Sequence, residues 1–294
     1  MRVFAPAKVN LYLHITKRLR NGYHALDSLV MFADIGDDIE ITPSEEFEFI
    51  IAGPFAGSLR GADSDSGPKS KNLAVKAVWR MAQLFDRTPN VTLRLTKNLP
   101  LGAGIGGGSS DAAAVIWGLC SLWDIDHNDE RICDLLISLG ADVPICFAAI
   151  SARIKGIGDV FEPVDGLPEL SVVLAHPSKS CGTIDVFRAF EGDFRELVAL
   201  PPALKNRDDL MQLLRRCDND LLGAAMRVVP EIENVLQAIY GQENCYLARM
   251  SGSGSCCFGV FANENDAANA AESLREANPD WWVMPASLGR VRRY

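Results

Sequence analysis

Leu99-Pro100-Leu101-Gly102-Ala103-Gly104-Ile105-Gly106-Gly107-Gly108-Ser109-Ser110-Asp111 is the stretch from which the rest of the chain is read. Five of the 24 glycines fall between Gly102 and Gly108. Ahead of them, Val91-Thr92-Leu93-Arg94-Leu95 alternates apolar and polar residues, as a half-buried strand does. Behind them, residues 112–123 are rich in Ala, Leu and Ile and read as a helix. The order is therefore strand, glycine loop, helix. A helix start has backbone N–H groups without internal partners and carries the positive end of the dipole. Glycines let such a backbone close on a ligand with no side chain in the way. Ser109, Ser110 and Asp111 are of the types that cap a helix start. Together these features describe an anion cradle suited to the phosphates of a nucleotide.

Competing motifs fit less well. Gly102, Gly104 and Gly107 match G-x-G-x-x-G, a weak signal by itself. In a dinucleotide fold the strand meets the loop directly, whereas here residues 96–100 intervene and no alternation of strands and helices follows. No Gly-Lys-Ser/Thr closes the loop, so it is not a Walker P-loop. The glycine loop of protein kinases precedes a strand, not an alanine-rich helix. A flexible turn is the plain alternative, and five glycines beside two serines against a helix weigh against it.

At 294 residues the chain exceeds the usual single core, which predicts two domains. Its 48% hydrophobic and 23% charged residues are those of a globular protein. A net charge of −9, from 29 basic and 38 acidic residues, argues against broad binding to nucleic acid or an anionic membrane. Lys17-Arg18-Leu19-Arg20 can still form part of a local basic pocket. The eight cysteines form no Cys-x-x-Cys and no zinc spacing. They read as core thiols of a reducing, cytoplasmic setting. Arg2, Lys8 and Asn10 interrupt any signal peptide, and no apolar run approaches the ~20 residues of a membrane span.

Several residues along the chain are candidates for chemistry. Lys8 and Asn10 lie two apart in an expected strand, so both face one side, as a polar bracket or as a solvated edge. Asn21-Gly22 signals a tight turn, and Tyr23 and His24 follow it at once. Residues 53–71 read as a long surface loop. Asn72 caps an expected helix over 73–85. Asp142 follows the helix stop at Gly140. By itself it favours a capping role over that of a catalytic carboxylate at a cleft. Residues 153–159 read as a second loop, near which a domain boundary is expected. The second half alternates strands and helices, and its Ser251-Gly252-Ser253-Gly254-Ser255 suits a hairpin or a phosphate contact equally.

Three segments resemble the motifs of the GHMP small-molecule kinases: Pro6-Ala7-Lys8-Val9-Asn10-Leu11, residues 100–110, and Met250 with the following Ser-Gly run. Gly22-Tyr23-His24, Leu139-Gly140-Ala141-Asp142-Val143-Pro144 and Ala175-His176-Pro177 resemble the branch whose alcohol substrate carries cytidine diphosphate and an erythritol unit. The resemblance spans nearly the whole chain. It implies an α+β, two-domain GHMP kinase fold. Residues 1–155 would resemble the second domain of ribosomal protein S5 and bind ATP. Residues 156–294 would be ferredoxin-like, with ATP and substrate in the cleft between. Carried over by motif, Lys8 and Asp142 are the expected catalytic pair and residues 100–110 the phosphate loop. Asn72 and Lys97 are expected near the adenine, and Asn10, Tyr23, His24 and Phe187 around the cytidine and erythritol parts. Mg²⁺ is expected beside ATP, with a loop serine as one candidate ligand. The expected partner is the small-molecule alcohol alone, on a monomer or weak homodimer.

The chain departs from the family pattern at Asn21, where Asp is usual, at Ile105, where Leu is common, and at Asp111, where Asn is common. Asp111 adds negative charge near a triphosphate, so it is expected to point away or to act on the metal. Residues 53–71 exceed the expected loop length. A GHMP kinase for another alcohol, such as mevalonate or homoserine, is one alternative. A non-catalytic nucleotide binder on the same fold is another. The pair Tyr23 and His24 argues against the first, and the presence of Lys8 and Asp142 against the second. In the expected mechanism the loop amides and Mg²⁺ hold the β- and γ-phosphates. Asp142 orients the alcohol and takes its proton as the new bond forms, while Lys8 offsets charge on the transferring group.

Overall fold

A computed structural model describes residues 1–59, 64–201, 204 and 206–291. Two long strands organise the first half. β1 (Arg2–Arg18) and β2 (His24–Pro43) pair antiparallel around the Asn21-Gly22 turn. Gly22 there has φ +87°, a conformation that glycine adopts at no steric cost. β2 is one continuous strand where the sequence suggests two, over 28–32 and 38–42. β1 slips register between Pro6 and Lys8 and again between Asn10 and Tyr12. Such irregularities bend a strand and re-aim its side chains, and these two flank Lys8 and Asn10.

β3 (Glu48–Ala52) follows, then α1 (Leu73–Leu84), whose Asn72 cap accepts from the Ala74 N–H at 2.9 Å. Part of the expected 53–71 loop, residues 60–63, lies outside the described residues. β4 (Val91–Thr96) lies antiparallel to β2 and parallel to β3. α2 (Gly107–Trp123), α3 (Glu130–Leu139) and α4 (Val143–Ala148) come next. The hairpin of β5 (Ala152–Gly156) and β6 (Val160–Pro163) extends the sheet along β2. Residues 153–156 are therefore strand where a loop is expected, because Ala152 and Ile154 alternate inward over too few residues to register as a pattern. α1 to α4 cover this sheet, and Ala112, Ala113 and Ala114 give α2 a face without bulk in the shared core.

In the second half come β7 (Leu170–His176), α5 (Thr183–Arg188), α6 (Arg207–Leu214), α7 (Leu222–Val228) and α8 (Glu231–Tyr240). β8 (Cys245–Met250), β9 (Cys257–Phe261), α9 (Glu264–Ala277) and β10 (Trp282–Leu288) complete it. The strands lie in the order β10-β7-β9-β8, all antiparallel. With helices in the two crossovers, this is the expected ferredoxin-like arrangement. α8 and α9 bury Ile232, Val235, Ile239, Ala271 and Leu274 in one core with Val173 and Phe261 of the sheet. Leu288 of β10 bridges to Ala33 of β2, so the two sheets meet. Cys133 is exposed and Cys245 half-buried; the other six thiols are buried, and all eight are free. Among the described residues no helix is long and apolar enough to cross a membrane.

Candidate active site

The glycine loop lies where the two halves of the chain meet. Gly102, Gly104 and Gly106 have φ of +62°, +72° and +69°, so alternate residues sit in the left-handed region that side chains resist. This turns successive peptides, and each carbonyl finds a donor. The Leu101 oxygen accepts from Ser180 Oγ at 3.0 Å and the Gly102 oxygen from the Cys181 N–H at 2.9 Å. The Ala103 oxygen accepts from the Cys256 N–H at 2.9 Å and the Gly104 oxygen from Ser251 Oγ at 3.2 Å. The Ile105 oxygen takes the Lys8 N–H at 2.9 Å, and the Gly106 oxygen the Ser110 N–H at 2.9 Å. The N–H groups from Gly102 to Ser109 have no acceptor among the described residues. A loop with its carbonyls tied back and its amides unpaired is built to receive an anion.

Three expectations change here. α2 begins at Gly107, capped by Gly106 without a side-chain hydrogen bond, so Ser109, Ser110 and Asp111 lie inside the helix and do not cap it. A Cβ at Gly104 would stand 2.6 Å from the Ser251 oxygen, so the missing side chain of this glycine makes room for the serine loop of the second half. Ser251-Gly252-Ser253-Gly254-Ser255 is accordingly a buttress of the glycine loop as well as a turn between β8 and β9.

Beneath the loop lies a buried ion triad. Lys97 Nζ donates to Asp37 and, at 2.8 Å, to Asp111 Oδ2. Asp37 Oδ1 also accepts from the N–H of Asn98 at 2.6 Å and of Leu99 at 2.8 Å, which fixes the start of the loop. Burial works against the Lys97 ammonium, but the two carboxylates more than offset it and raise its pKa. Burial lifts the Asp111 carboxyl to about 7, against the pull of Lys97 and with the help of Asp37. Asp111 thus does not point away: it shares one ammonium with Asp37 through Oδ2, while its Oδ1, on a residue of the cavity wall, has no partner among the described residues. The Lys97 ammonium lies 3.1 Å from where a Cβ of Gly107 would stand, at the helix start. Sequence reasoning missed Asp37. No local signal marked it, since Asp34, Asp38 and Glu40 stand beside it in the same strand and its partners Lys97, Asn98 and Leu99 lie some 60 residues on.

Lys8 and Asp142 come together. Lys8 Nζ is 3.1 Å from Asp142 Oδ1, the lysine side chain buried and the aspartate 39% exposed. Asp142 occupies the cap position of α4 yet makes no capping hydrogen bond, so its carboxylate is free for the lysine. Lys8 Nζ also donates to Asn10 Oδ1 at 3.1 Å, as expected for two residues on one face.

A cavity of about 550 Å³ runs past these groups. Asn72, Lys97, Pro100, Leu101, Gly102, Ala103, Gly104, Ile105, Gly106, Gly107, Gly108 and Ser109 line it, as do Lys8, Asn10, Asp142 and Phe187. Ser110 is buried behind it, and its Oγ has no partner among the described residues. Tyr23 and His24 are not on its wall. His24 lies next to it, stacked on Phe187 with ring centroids 5.6 Å apart and 25° between planes. Phe190 meets His24 edge-on at 5.6 Å and 82°. Tyr23 is 60% exposed. Burial, then the Arg18 charge, pushes the His24 pKa below its ordinary value, which favours the neutral ring.

The models of the GHMP kinases N terminal domain and the GHMP kinases C terminal match residues 72–150 and 197–280. The 4-diphosphocytidyl-2-C-methyl-D-erythritol kinase of Paramagnetospirillum magneticum is 41% identical over 284 residues, 97% of each chain. That of Roseobacter denitrificans is 41% identical over 293 residues, 98% of this chain and 94% of the relative. The chain belongs to the GHMP kinases, in the 4-diphosphocytidyl-2-C-methyl-D-erythritol kinase family. A crystal structure of 4-(cytidine 5'-diphospho)-2C-methyl-D-erythritol kinase superposes on this GHMP kinase with TM-score 0.79 and 30% identity, covering 99% of this chain and 100% of that one. Homoserine kinase from Cytophaga hutchinsonii shares the fold, with TM-score 0.70 and 18% identity over 98% of this GHMP kinase and 94% of that one. The family implies ATP as the second substrate of this kinase.

Proposed function

We propose that the chain transfers the γ-phosphoryl group of ATP to the 2-hydroxyl of 4-diphosphocytidyl-2-C-methyl-D-erythritol, a step of the non-mevalonate route to isoprenoids. The observation that carries the chemistry is the Lys8–Asp142 pair, 3.1 Å apart, on a cavity that also holds the amide loop and Phe187. The loop amides receive the β- and γ-phosphates, and Asn72, the cap of α1, faces the adenine, whereas Lys97, expected there too, is committed to Asp37 and Asp111 beneath the loop at the phosphate end. Asp142 accepts a hydrogen bond from the substrate hydroxyl. As its oxygen bonds to the γ-phosphorus, the bond from that phosphorus to the bridging oxygen of ADP breaks and the hydroxyl proton passes to Asp142. A carboxylate is too weak a base to ionise a free alcohol beforehand, so proton transfer accompanies bond formation. Lys8 orients Asp142 and offsets the charge of the phosphoryl group. Phe187, His24 and Tyr23 receive the cytosine, and Asn10 the erythritol side.

Mg²⁺ fits the donors present. Among the described residues no cluster of three His, Cys, Asp or Glu could hold an ion. Mg²⁺ needs only one or two protein oxygens beside substrate phosphates and waters. Ser109, on the cavity wall at the helix start, would supply one, and the unpartnered Ser110 hydroxyl lies next to it. The ion would spread the charge of the β- and γ-phosphates. The expected boundary at 155/156 falls inside β5, and β6 still pairs in the first sheet, so the ATP-binding domain expected over 1–155 runs on to the segment between β6 and β7, where the second domain begins.

The test is a phosphorylation assay across alcohols with and without a cytidine diphosphate group. Turnover of the cytidyl alcohol, with mevalonate and homoserine untouched, is expected. Phosphorylation of either small alcohol at a comparable kcat/KM would overturn the substrate assignment.

A further inference from the structure

Behind the Lys8–Asp142 pair runs a buried chain of hydrogen bonds whose direction is fixed from its far end. Ser28 of β2 is wholly buried, and its hydroxyl donates to the Tyr12 carbonyl of β1. A hydroxyl has one proton, and a carbonyl oxygen can only accept. With that proton committed, Ser28 Oγ can offer Asn10 only lone pairs. The Asn10 amide must therefore present its amino end to Ser28, and Asn10 Nδ2 donates to Ser28 Oγ at 2.8 Å. This leaves Asn10 Oδ1 facing Lys8, whose Nζ donates to it at 3.1 Å. The reversed amide would set N–H groups against an ammonium and a carbonyl against a hydroxyl with no proton to give. Asn10 has no other easy movement, since its own N–H donates to Ser251 Oγ at 3.1 Å.

We propose that Ser28 is a positioning residue for phosphoryl transfer: it sets the Asn10 amide, and the amide sets the Lys8 ammonium against Asp142. This rests on reading Lys8 and Asp142 as the reacting pair. Ser28 itself touches neither of them. An ammonium on a flexible four-carbon stem has three equivalent donors and no preferred direction of its own. Two acceptors, Asn10 Oδ1 and Asp142 Oδ1, both at 3.1 Å, define where it stands. Without Ser28 the amide is free to turn, and one of the two acceptors is lost for part of the time.

The experiment compares Ser28→Ala, Asn10→Ala, the double variant and Lys8→Met in steady-state kinetics, with thermal melts and ATP calorimetry. Ser28→Ala should lower kcat by roughly 10- to 100-fold, the scale of a sub-ångström to 1 Å misplacement, and leave KM for ATP within about twofold. The double variant should have the kcat of Asn10→Ala alone, because Ser28 acts only through Asn10. Independent losses that multiply in the double variant overturn the relay. So does a Ser28→Ala protein whose kcat, both KM values and melting temperature all shift together, since that is general structural damage. If Lys8→Met turns over normally, the reacting pair is wrong. If Lys8→Met is inactive while Ser28→Ala is normal, the pair stands and the role of Ser28 falls.

Discussion

Lys8 of β1 and Asp142 at the head of α4 form an ion pair of 3.1 Å in which one partner is buried and the other is 39% exposed. The asymmetry suits their tasks. The lysine is held by the interior, and the carboxylate keeps a face to the cavity that a substrate hydroxyl can reach. Asp142→Asn should leave ATP affinity unchanged and lower kcat by at least the ~10²-fold typical of a positioned acid–base group. Turnover and ATP calorimetry on one folded preparation check this; near-normal kcat would refute it.

The glycines of the loop should separate by what their Cβ would meet. At Gly104 it would stand 2.6 Å from the Ser251 oxygen and 2.7 Å from the Gly254 nitrogen, both backbone. Gly104→Val should therefore lower melting temperature and ATP affinity together. At Gly107 the nearest atom is the Lys97 ammonium at 3.1 Å, the end of a side chain that can shift. Gly107→Ala should keep its melting temperature and weaken ATP by roughly tenfold, about 1.4 kcal/mol. Equal losses of stability in the two variants would contradict this division.

Tyr23 and Phe187 should differ in a second way. Tyr23 is 60% exposed, whereas Phe187 packs on the second core and on His24. Base–aromatic stacking is worth roughly 1–3 kcal/mol, so loss of either ring should raise KM for the cytidyl substrate about five- to 150-fold. Tyr23→Ala should do so without a change in melting temperature, and Phe187→Ala with a drop. KM for ATP should hold in both. An unchanged KM for the cytidyl substrate in Tyr23→Ala removes that ring from the site.

His24 supplies a pH test. Its pKa lies below the ordinary ~6.5, from burial and then Arg18. The neutral ring offers one donor and one acceptor, which matches a base edge with an amine donor and a ring-nitrogen acceptor. Lowering the pH through 6.5 should leave KM for the cytidyl substrate flat, and only further acidification should raise it. In His24→Gln, which offers a donor and an acceptor at every pH, the acid rise should disappear. A rise that begins above pH 7 in the parent protein would contradict the direction of the shift.

Much of this was legible because glycine spacing and short polar motifs survive in a bare sequence. The strand–loop–helix order, the shared face of Lys8 and Asn10 and the alternation of strands and helices in the second half follow from local pattern, whereas the ferredoxin-like arrangement was implied by the family resemblance. Asp142 was ambiguous, because a cap and a catalytic carboxylate occupy the same position; only the absent capping bond and the nearby lysine separate them. Asp37 and Ser28 left little trace, since their partners, Lys97 and Tyr12, are brought near by β-pairing that a linear reading does not contain. β5 and α4 were missed because five or six residues are too few for a period to show. The partners of the loop carbonyls were least legible of all, coming from Ser180, Cys181, Ser251 and Cys256 far down the chain.

Those distant partners give the ATP site a place in time. The ribosome releases Gly102 and Gly104 well before Ser251 and Cys256. At about 5–20 residues per second the delay is on the order of ten seconds. During that interval the carbonyls of Ala103 and Gly104 have no donor to turn them away, and oxygen competes with amide for the face that phosphates need. A nascent chain that already has its first sheet and helices still lacks the two donors that turn these carbonyls away from the cavity.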